Sequence, residues 1–324
     1  MQMMNVNFWK STLTLGGLCA LPLLANAAPL RRADVTANPA WLVHVDCDGL
    51  RASTLGKYFL SELDKPEAKA KLEGFQTMFQ FDPRTQLHGA TLYGNSVAPE
   101  EGLLMIYADF DAMHLVTLAE SAKDSQSSPH GDNMIYSWID ENKKAKDGVK
   151  PRTYAAIQGN RVLFGQREEC VSRALDVLAG KAPNLTSGNV FPELGQSSGA
   201  HFAEAAARKI VLPDANPSAA ILKLSQSIQL VMGESKQQFT AALTLVADNA
   251  EVSGHILSIA NGLLALVKLQ TDKPESVKVA SAINLTQTGD HVVASLRLPA
   301  ADIVEVMKAD AARKAAQAAK EPKN

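Results

Sequence analysis

The 324-residue sequence has little cysteine, few aromatic side chains and no excess of either charge. It contains three cysteines, and aromatic residues make up 6 % of the chain. The 32 Lys and Arg residues nearly balance the 34 Asp and Glu residues, for a net charge of −2. This balance excludes a nucleic-acid binder that works by bulk positive charge. Hydrophobic residues at 46 % and charged residues at 20 % are typical of a folded protein, so disorder is excluded as the dominant state.

The sequence also lacks the motifs that commonly mark a reaction centre. It has no G-x-G-x-x-G sequence, no phosphate-binding loop and no H-E-x-x-H sequence, and its seven histidines are scattered. We therefore assign no catalytic, cofactor-binding or metal-binding residue, and we predict no cofactor. Two weaker patterns need separate consideration, one around Ser197 and one around His44.

Ser197 lies at the centre of a G-x-S-x-G sequence that runs from Gly195 to Gly199. A nucleophile elbow needs a strand directly before this motif and a helix directly after it. Here a proline-containing segment precedes the motif and a candidate strand follows it, which argues against a catalytic role for Ser197. His255 and His291 lie downstream and leave a general base available, so a hydrolase with loop-assembled catalytic residues is kept as an alternative.

The densest ligand-like cluster consists of His44, Asp46 and Asp48. Alternate residues of a strand share one face, so the three side chains are expected to point together. The apolar residues that alternate with them, from Trp41 to Cys47, are predicted to face inward, which places the cluster on the solvent face. Its D-x-D-G sequence resembles the start of a calcium loop, but the later ligands are missing. We therefore expect Asp48 to be a turn or cap residue.

Residues 1–27 are predicted to be a secretory signal peptide. Lys10 is the only charged residue among them, an apolar run follows it, and the segment ends in Ala25-Asn26-Ala27, which fits the small-x-small cleavage rule. We predict cleavage after Ala27 and a periplasmic or secreted protein. An uncleaved membrane anchor is the alternative, although the run is shorter than the roughly 20 residues that span a bilayer. Leu18 directly before Cys19 argues against a lipid anchor.

Cleavage after Ala27 leaves two cysteines, Cys47 and Cys170. An oxidising compartment permits a disulfide between them. Nothing in the sequence brings the two together, and buried free cysteines are common. Both possibilities stay open.

Predicted elements occur twice in the same order: a strand, a strand pair, a helix, a hairpin and a second helix. We assign residues 28–180 to an N-terminal half, 181–199 to a linker, 200–308 to a C-terminal half and 309–324 to an Ala- and Lys-rich tail. The predicted fold class is α+β, with mainly antiparallel strands and helices packed on one face of each half. An internal duplication explains the recurrence, although the same order also occurs in unrelated α+β proteins.

Composition and periodicity give several local expectations. We expect residues 28–39 to be a polar leader, residues 123–133 to be a polar loop, and Asp248 and Glu251 to cap a long helix. The stretch from Ile256 to Leu269 is expected to be a buried core helix, so we predict no transmembrane segment in the mature chain. A strand face formed by Met134, Tyr136 and Trp138 is expected to be core rather than a sugar-stacking platform.

Short patterns in both halves resemble a group of uncharacterised exported proteins of planctomycete-type and verrucomicrobial-type bacteria. They are the signal peptide, the Tyr154-Ala155-Ala156-Ile157 hairpin strand, the helix Ala174-Leu175-Asp176-Val177-Leu178 that ends at Gly180-Lys181, and the terminal hairpin with Gly289-Asp290 before Val292-Val293. The group has no established activity. The resemblance therefore implies an exported α+β protein and no particular chemistry.

These observations predict a non-enzymatic protein of the bacterial envelope that acts as a binding or structural module. Its partner is unknown and is expected to be another envelope protein or a small ligand, not a nucleic acid. A periplasmic hydrolase is one alternative. A carrier for a small apolar ligand, with a cleft between the two halves, is another.

Overall fold

One antiparallel β-sheet of 12 strands forms the centre of the protein. The structure is a computed structural model that describes residues 28–141, 145, 150–188, 190–195, 201–208, 223–270 and 273–318. The strands are β1 (Trp41–Asp46), β2 (Leu87–Gly94), β3 (Gly102–Ala108), β4 (Gln126–His130), β5 (Asn133–Ile139), β6 (Arg152–Gln158), β7 (Arg161–Gly165), β8 (His201–Arg208), β9 (Ser225–Ser235), β10 (Gln238–Ala247), β11 (Ile283–Thr288) and β12 (His291–Pro299).

Helices connect these strands and cover both faces of the sheet. In the described ranges they are α1 (Cys47–Ala52), α2 (Thr54–Leu63), α3 (Pro66–Phe79), α4 (Pro83–Gln86), α5 (Ala112–Ser121), α6 (Glu168–Leu178), α7 (Ala250–Lys268), α8 (Pro274–Ala282) and α9 (Ala300–Ala318). Helices and an antiparallel sheet in one domain confirm the predicted α+β class.

Side-chain caps define where several helices begin. Ser53 and Asp111 accept hydrogen bonds from first-turn N–H groups of α2 and α5. The predicted cap of α7 by Asp248 and Glu251 is wrong, because Asn249 takes that position and its side chain accepts from the N–H of Val252. The observed cap lies one residue after Asp248, because Asn249 is the last residue before the helix and has an extended backbone.

The two halves of the chain join through the central strands β1 and β8. The strand order is β11-β12-β10-β9-β8-β1-β2-β3-β7-β6-β5-β4, and β1 pairs antiparallel with β8 from Trp41↔Ala207 to Val45↔Ala203. Next to β8 lies the pair β9–β10, and the hairpin β11–β12 joins β10 through β12. Next to β1 lies the pair β2–β3, and the hairpin β6–β7 joins β3 through β7. The N-terminal side has two further strands, β5 and β4. The matching order agrees with a duplication, which itself stays a prediction.

The sheet has two faces, which we name by representative residues. The core face carries Leu42, Met105 and Leu163, all fully buried. The outer face carries a row in which Val43 is opposite Leu92 and the row continues across β3 and β7. Helix α6 packs on the core face, whereas α5 lies over the outer face. Helices of the N-terminal half therefore cover both faces, because both faces of this part of the sheet are apolar.

The N-terminal segment is part of the core rather than a polar leader. Ala28, Leu30, Asp34 and Val35 are buried. Asp34 accepts hydrogen bonds from the guanidinium of Arg161 at 2.9 Å and from the hydroxyl of Tyr107 at 3.1 Å. These contacts satisfy a buried carboxylate. The expectation of a polar leader is wrong because apolar side chains of this segment are buried and its Arg32 and Asp34 side chains are paired internally.

Residues 181–188 and 190–195 contain no helix or strand, yet they pack on the core face. Leu185 and Leu194 are fully buried. The guanidinium of Arg32 donates to the backbone carbonyls of four residues in this segment, Leu185, Val190, Phe191 and Leu194. A single side chain thereby binds the segment to the N-terminus and satisfies carbonyl groups that no regular structure pairs.

Two further expectations are corrected by the structure. Residues 126–130 form the edge strand β4 with Pro129 inside it, not a loop. Its polar composition reflects exposure at the end of the sheet. Helix α7 is not a buried core helix: Ser253 and Ile256 are its buried residues, and Leu266 is 62 % exposed. One stripe of α7 packs against β10 and β12. By length and composition alone, α7 is also apolar enough to cross a membrane.

Candidate functional site

An apolar cavity lies between helices α3 and α5 and the outer face of strands β5, β6 and β7. Its volume is about 310 Å³. All of its lining residues are hydrophobic: Met78, Phe79, Leu115, Val116, Leu118, Ala119, Ala122, Tyr136, Trp138, Ala155, Ile157, Val162 and Phe164. An apolar cleft was predicted between the two halves. This cavity lies within the N-terminal half instead.

Strand register explains why these side chains meet. Tyr136 is opposite Ala155, and Ala155 is opposite Phe164, so the three form one row on the outer face. The small side chain at the middle of this row leaves space between two aromatic rings. Ala119 of α5 adds a second small side chain from above. Small side chains on both the helix and the sheet therefore leave the volume open.

The helices over the cavity are loosely held. No residue of α5 is fully buried, and α3 buries only Leu72. The ring of His114 in α5 donates from Nε2 to the carbonyl oxygen of Met78 in α3, at 2.9 Å. Met78 itself is 59 % exposed and lies at the rim of the cavity. Such a cover can admit a ligand with little loss of buried contacts.

The chemistry of the cavity is almost purely apolar. Tyr136 and Trp138 supply the only polar side-chain groups in its lining, a phenol hydroxyl and an indole N–H. The predicted face of Met134, Tyr136 and Trp138 exists, since these alternate along β5. Tyr136 and Trp138 are half-buried, so they form the wall of a pocket rather than a solid core. A ligand held here needs a largely apolar body with few polar groups.

A wider depression of about 550 Å³ lies over the C-terminal half. Its lining consists mainly of small or polar side chains, including Thr240, Thr244 and Asn284. Polar groups form a larger share of its lining than of the lining under α5, so the cavity under α5 is the better candidate for binding an apolar ligand.

Protein groups bind the side chains of His44, Asp46 and Asp48 in the structure. The predicted place of this cluster on the solvent face is wrong, because His44 and Asp46 are buried on the core face. Asp48 lies in α1, where its carboxylate accepts a hydrogen bond from the guanidinium of Arg51 and lies within hydrogen-bond distance of His88 Nδ1. Within the described ranges, no group of three His, Cys, Asp or Glu residues has a metal-binding arrangement. The strand ends at Asp46, so the alternation on which the cluster depended does not reach Asp48.

His88 lies between two carboxylates. Its Nδ1 is 2.9 Å from Asp48 Oδ2, and its Nε2 is 3.0 Å from Asp109 Oδ2. Burial lowers the pKa of His88, but its hydrogen bonds with Asp109 and Asp48 outweigh that effect and raise the pKa above its usual value. Both ring nitrogens lie within hydrogen-bond distance of a carboxylate oxygen, so protein groups occupy both of them. The arrangement is therefore a structural ion-pair cluster. Sequence reasoning missed it because its members are 40 and 21 positions apart.

Both cysteines of the described chain are free thiols. Burial raises the pKa of Cys47 to about 11 and also raises the pKa of Cys170. The thiolate is the reactive form, so neither side chain has the properties of a nucleophile at neutral pH. Ser197 and most of its G-x-S-x-G sequence lie outside the described residues. His255 is exposed on α7, and His291 contacts Asp290 at the hairpin end.

Comparison with known proteins gives limited information. No protein-family model and no curated protein matches the chain. Among solved structures, crystal form III of TP0453 is similar over 86 % of this chain and 97 % of that chain, with 13 % identity and a TM-score of 0.46. Crystal form I of TP0453 is similar over 87 % and 98 %, with 12 % identity and a TM-score of 0.45. Values this low do not establish a shared family or activity.

Proposed function

We propose that this chain is an exported, non-enzymatic binding protein of the bacterial envelope that holds a small apolar molecule under helix α5. The observation that carries the proposal is the cavity of about 310 Å³ with an entirely hydrophobic lining. Ligand pockets commonly start near about 300 Å³, and a dry apolar cavity of about 150 Å³ already binds benzene. The cavity therefore suits an apolar molecule about twice the size of benzene.

Export is the part of this proposal that rests on sequence. The predicted signal peptide at residues 1–27 and the resemblance to exported planctomycete-type and verrucomicrobial-type proteins support it. The binding role rests on geometry: a half-exposed cover, an apolar floor, and two polar groups, on Tyr136 and Trp138, that can orient a ligand. A hydrolase is the weaker alternative, since neither His88 nor the two thiols are in a state suited to catalysis.

A titration with the neutral dye N-phenyl-1-naphthylamine tests the binding site, because its fluorescence rises in an apolar environment. We expect saturable binding to the wild-type protein. Ala119→Phe fills the cavity and should weaken binding by about tenfold or more. Emission from Trp138 should change in the same concentration range, and a Trp41→Phe variant leaves Trp138 as the only tryptophan after residue 27.

Ala112→Phe is the matched control, because Ala112 is exposed at the start of the same helix and does not line the cavity. The affinity of Ala112→Phe for the dye should equal that of the wild type, and circular dichroism should show that both variants are folded. Equal binding by the two variants, or no saturable binding by the wild type, would reject the cavity as the site.

A further inference from the structure

A buried polar site on β1 surrounds the backbone of Ala28. His44 is 2 % exposed and Asp46 is 3 % exposed. The N–H of Ala28 donates to Asp46 Oδ1 at 3.1 Å. The carbonyl oxygen of the same residue accepts from His44 Nε2 at 2.9 Å. Both backbone groups of Ala28 are therefore bound by buried side chains that lie 16 and 18 positions away.

The surroundings of this site are fitted to Ala28. A Cβ at Gly89 would lie 3.1 Å from the carbonyl oxygen of Val45 and 3.3 Å from the Ala28 Cβ, so the glycine leaves room for strand β1 and for Ala28 together. Thr91 is fully buried, and its hydroxyl is 2.9 Å from His44 Nδ1. A hydroxyl that donates to Nδ1 fixes the ring with its proton on Nε2, which is the tautomer that Ala28 needs.

The charge on Asp46 has no partner of opposite sign in the described part of the chain. Its hydrogen bonds there come from two backbone N–H groups, those of Ala28 and Gly49. Arg51, which is close in sequence, pairs with Asp48 instead. A buried carboxylate without a cation is unfavourable. Of its two donors, only the nitrogen of Ala28 would become a cation if the chain were cleaved directly before that residue.

We propose that Asp46, His44 and Gly89 form a binding site for the free N-terminus that cleavage after Ala27 creates. Hydrolysis of the Ala27–Ala28 bond by a signal peptidase adds water: Ala27 keeps a carboxylate, and the Ala28 nitrogen becomes an amine that takes up a proton. The resulting ammonium lies where the amide N–H was and pairs with Asp46. Cleavage thus replaces a hydrogen bond from a neutral amide with a charge-assisted one in a buried position.

This inference rests on the cleavage included in the proposed function. It implies that removal of the leader stabilises the folded chain. Before cleavage the site holds a neutral amide, and after cleavage it holds a cation. The mature chain therefore gains an interaction that ties its N-terminus to the central strand β1. The unprocessed chain lacks that interaction and is less stable over the same residues.

A double-mutant cycle on chains with defined N-termini tests the site without depending on export in the cell. Asp46→Asn is made in the chain that begins at Ala28 and in the chain that keeps Ala27. Asparagine can still accept from an amide N–H but cannot neutralise an ammonium. We expect Asp46→Asn to lower the folding equilibrium constant about tenfold more in the chain beginning at Ala28. Equal effects in both chains would overturn the proposal.

Asp48→Asn is the matched control, because this buried carboxylate already pairs with Arg51 and His88. Its effect should be the same in both chains. A second measurement covers the case in which Asp46→Asn does not fold: the native α-amine of Ala28 should resist an amine-acylating reagent that labels it in urea. Labelling of the native amine at the unfolded rate would also overturn the proposal. N-terminal sequencing of the exported chain tests the cleavage separately.

Discussion

At the scale of single residues, the charge state of His88 links elements that are distant in sequence. Its ring bridges Asp48, at the start of α1, and Asp109, which directly follows β3. The pKa of His88 is raised in the folded protein, against the effect of burial, by hydrogen bonds with both carboxylates. In the unfolded chain, the pKa of His88 has the ordinary histidine value of about 6.5. The imidazolium form therefore stabilises the fold, fully below the unfolded pKa and progressively less as pH rises through the folded pKa.

His88→Gln should consequently destabilise the protein more at pH 5 than at pH 8.5. Urea unfolding at the two pH values measures the difference in free energy of unfolding from the wild type. His255→Gln, at an exposed position of α7, serves as the control and should leave the difference near zero at both values. A loss that is the same at both pH values would mean that the charge of His88 contributes nothing.

Residue-level prediction was least successful on β1, for a physical reason. Its more apolar face carries Trp41, Val43 and Val45 and is the outer one, so which face is buried depends on what the polar side chains of the other face can bind. His44 and Asp46 are buried because Ala28 and Thr91 satisfy them. Those partners come from segments 16 to 47 positions away, so strand alternation alone cannot identify them.

At the scale of elements, the corner between α1 and α2 depends on one glycine. A Cβ at Gly56 would lie 1.8 Å from the carbonyl oxygen of Leu50, which is backbone and cannot rotate away. Gly56 also donates its N–H to the cap Ser53 at 2.9 Å. The two helices meet closely because this position has no side chain.

Gly56→Ala should therefore destabilise the protein by about 1–3 kcal/mol or more, although alanine is the better helix former. Gly262→Ala provides the opposite control, because nothing lies within 4 Å of its added Cβ on exposed α7. That change should stabilise by about 0.5–1 kcal/mol. Thermal unfolding of both variants gives the comparison, and a stabilised Gly56→Ala protein would contradict the close contact.

Elements with strong periodicity or clear turn signals were predictable. The hairpin strand that contains Tyr154-Ala155-Ala156-Ile157 and the helix that ends before Gly180 are confirmed. Strand β4 was missed because Ser127, Ser128 and Pro129 give no apolar alternation, and only pairing with β5 makes this segment a strand. The cavity could be anticipated only in part: Tyr136 and Trp138 were recognised as one face, but the alanines of α5 and β6 that leave the space gave no signal.

At the scale of the whole molecule, continuity of the sheet should make unfolding a single event. Strands β1 and β8 join the halves by antiparallel pairing, and residues 181–188 and 190–195 pack on the core face with the N-terminal segment. Tryptophan fluorescence reports on β1 and β5, whereas far-UV circular dichroism reports on all elements. We expect one midpoint by both methods in urea. Two separated midpoints would show that the halves unfold independently.

The sequence predicted two halves but not how their strands pair. In the structure the strands of both belong to one sheet. The sequence could not identify β1 and β8 as the joining edges. Strand pairing between segments about 160 positions apart depends on tertiary fit, which a pattern of alternation does not encode.

The two ends of the sheet differ in a way that limits self-association. Strand β4 at one end contains Pro129, which has no N–H to offer a further strand, whereas β11 at the other end contains no proline. Growth of a fibre by head-to-tail addition needs both edges of every copy. An assembly through β11 alone would bring two identical edges together and stop at two copies. One proline at the end of a 12-stranded sheet thus opposes open-ended polymerisation of a protein with an unusually long hydrogen-bonded array.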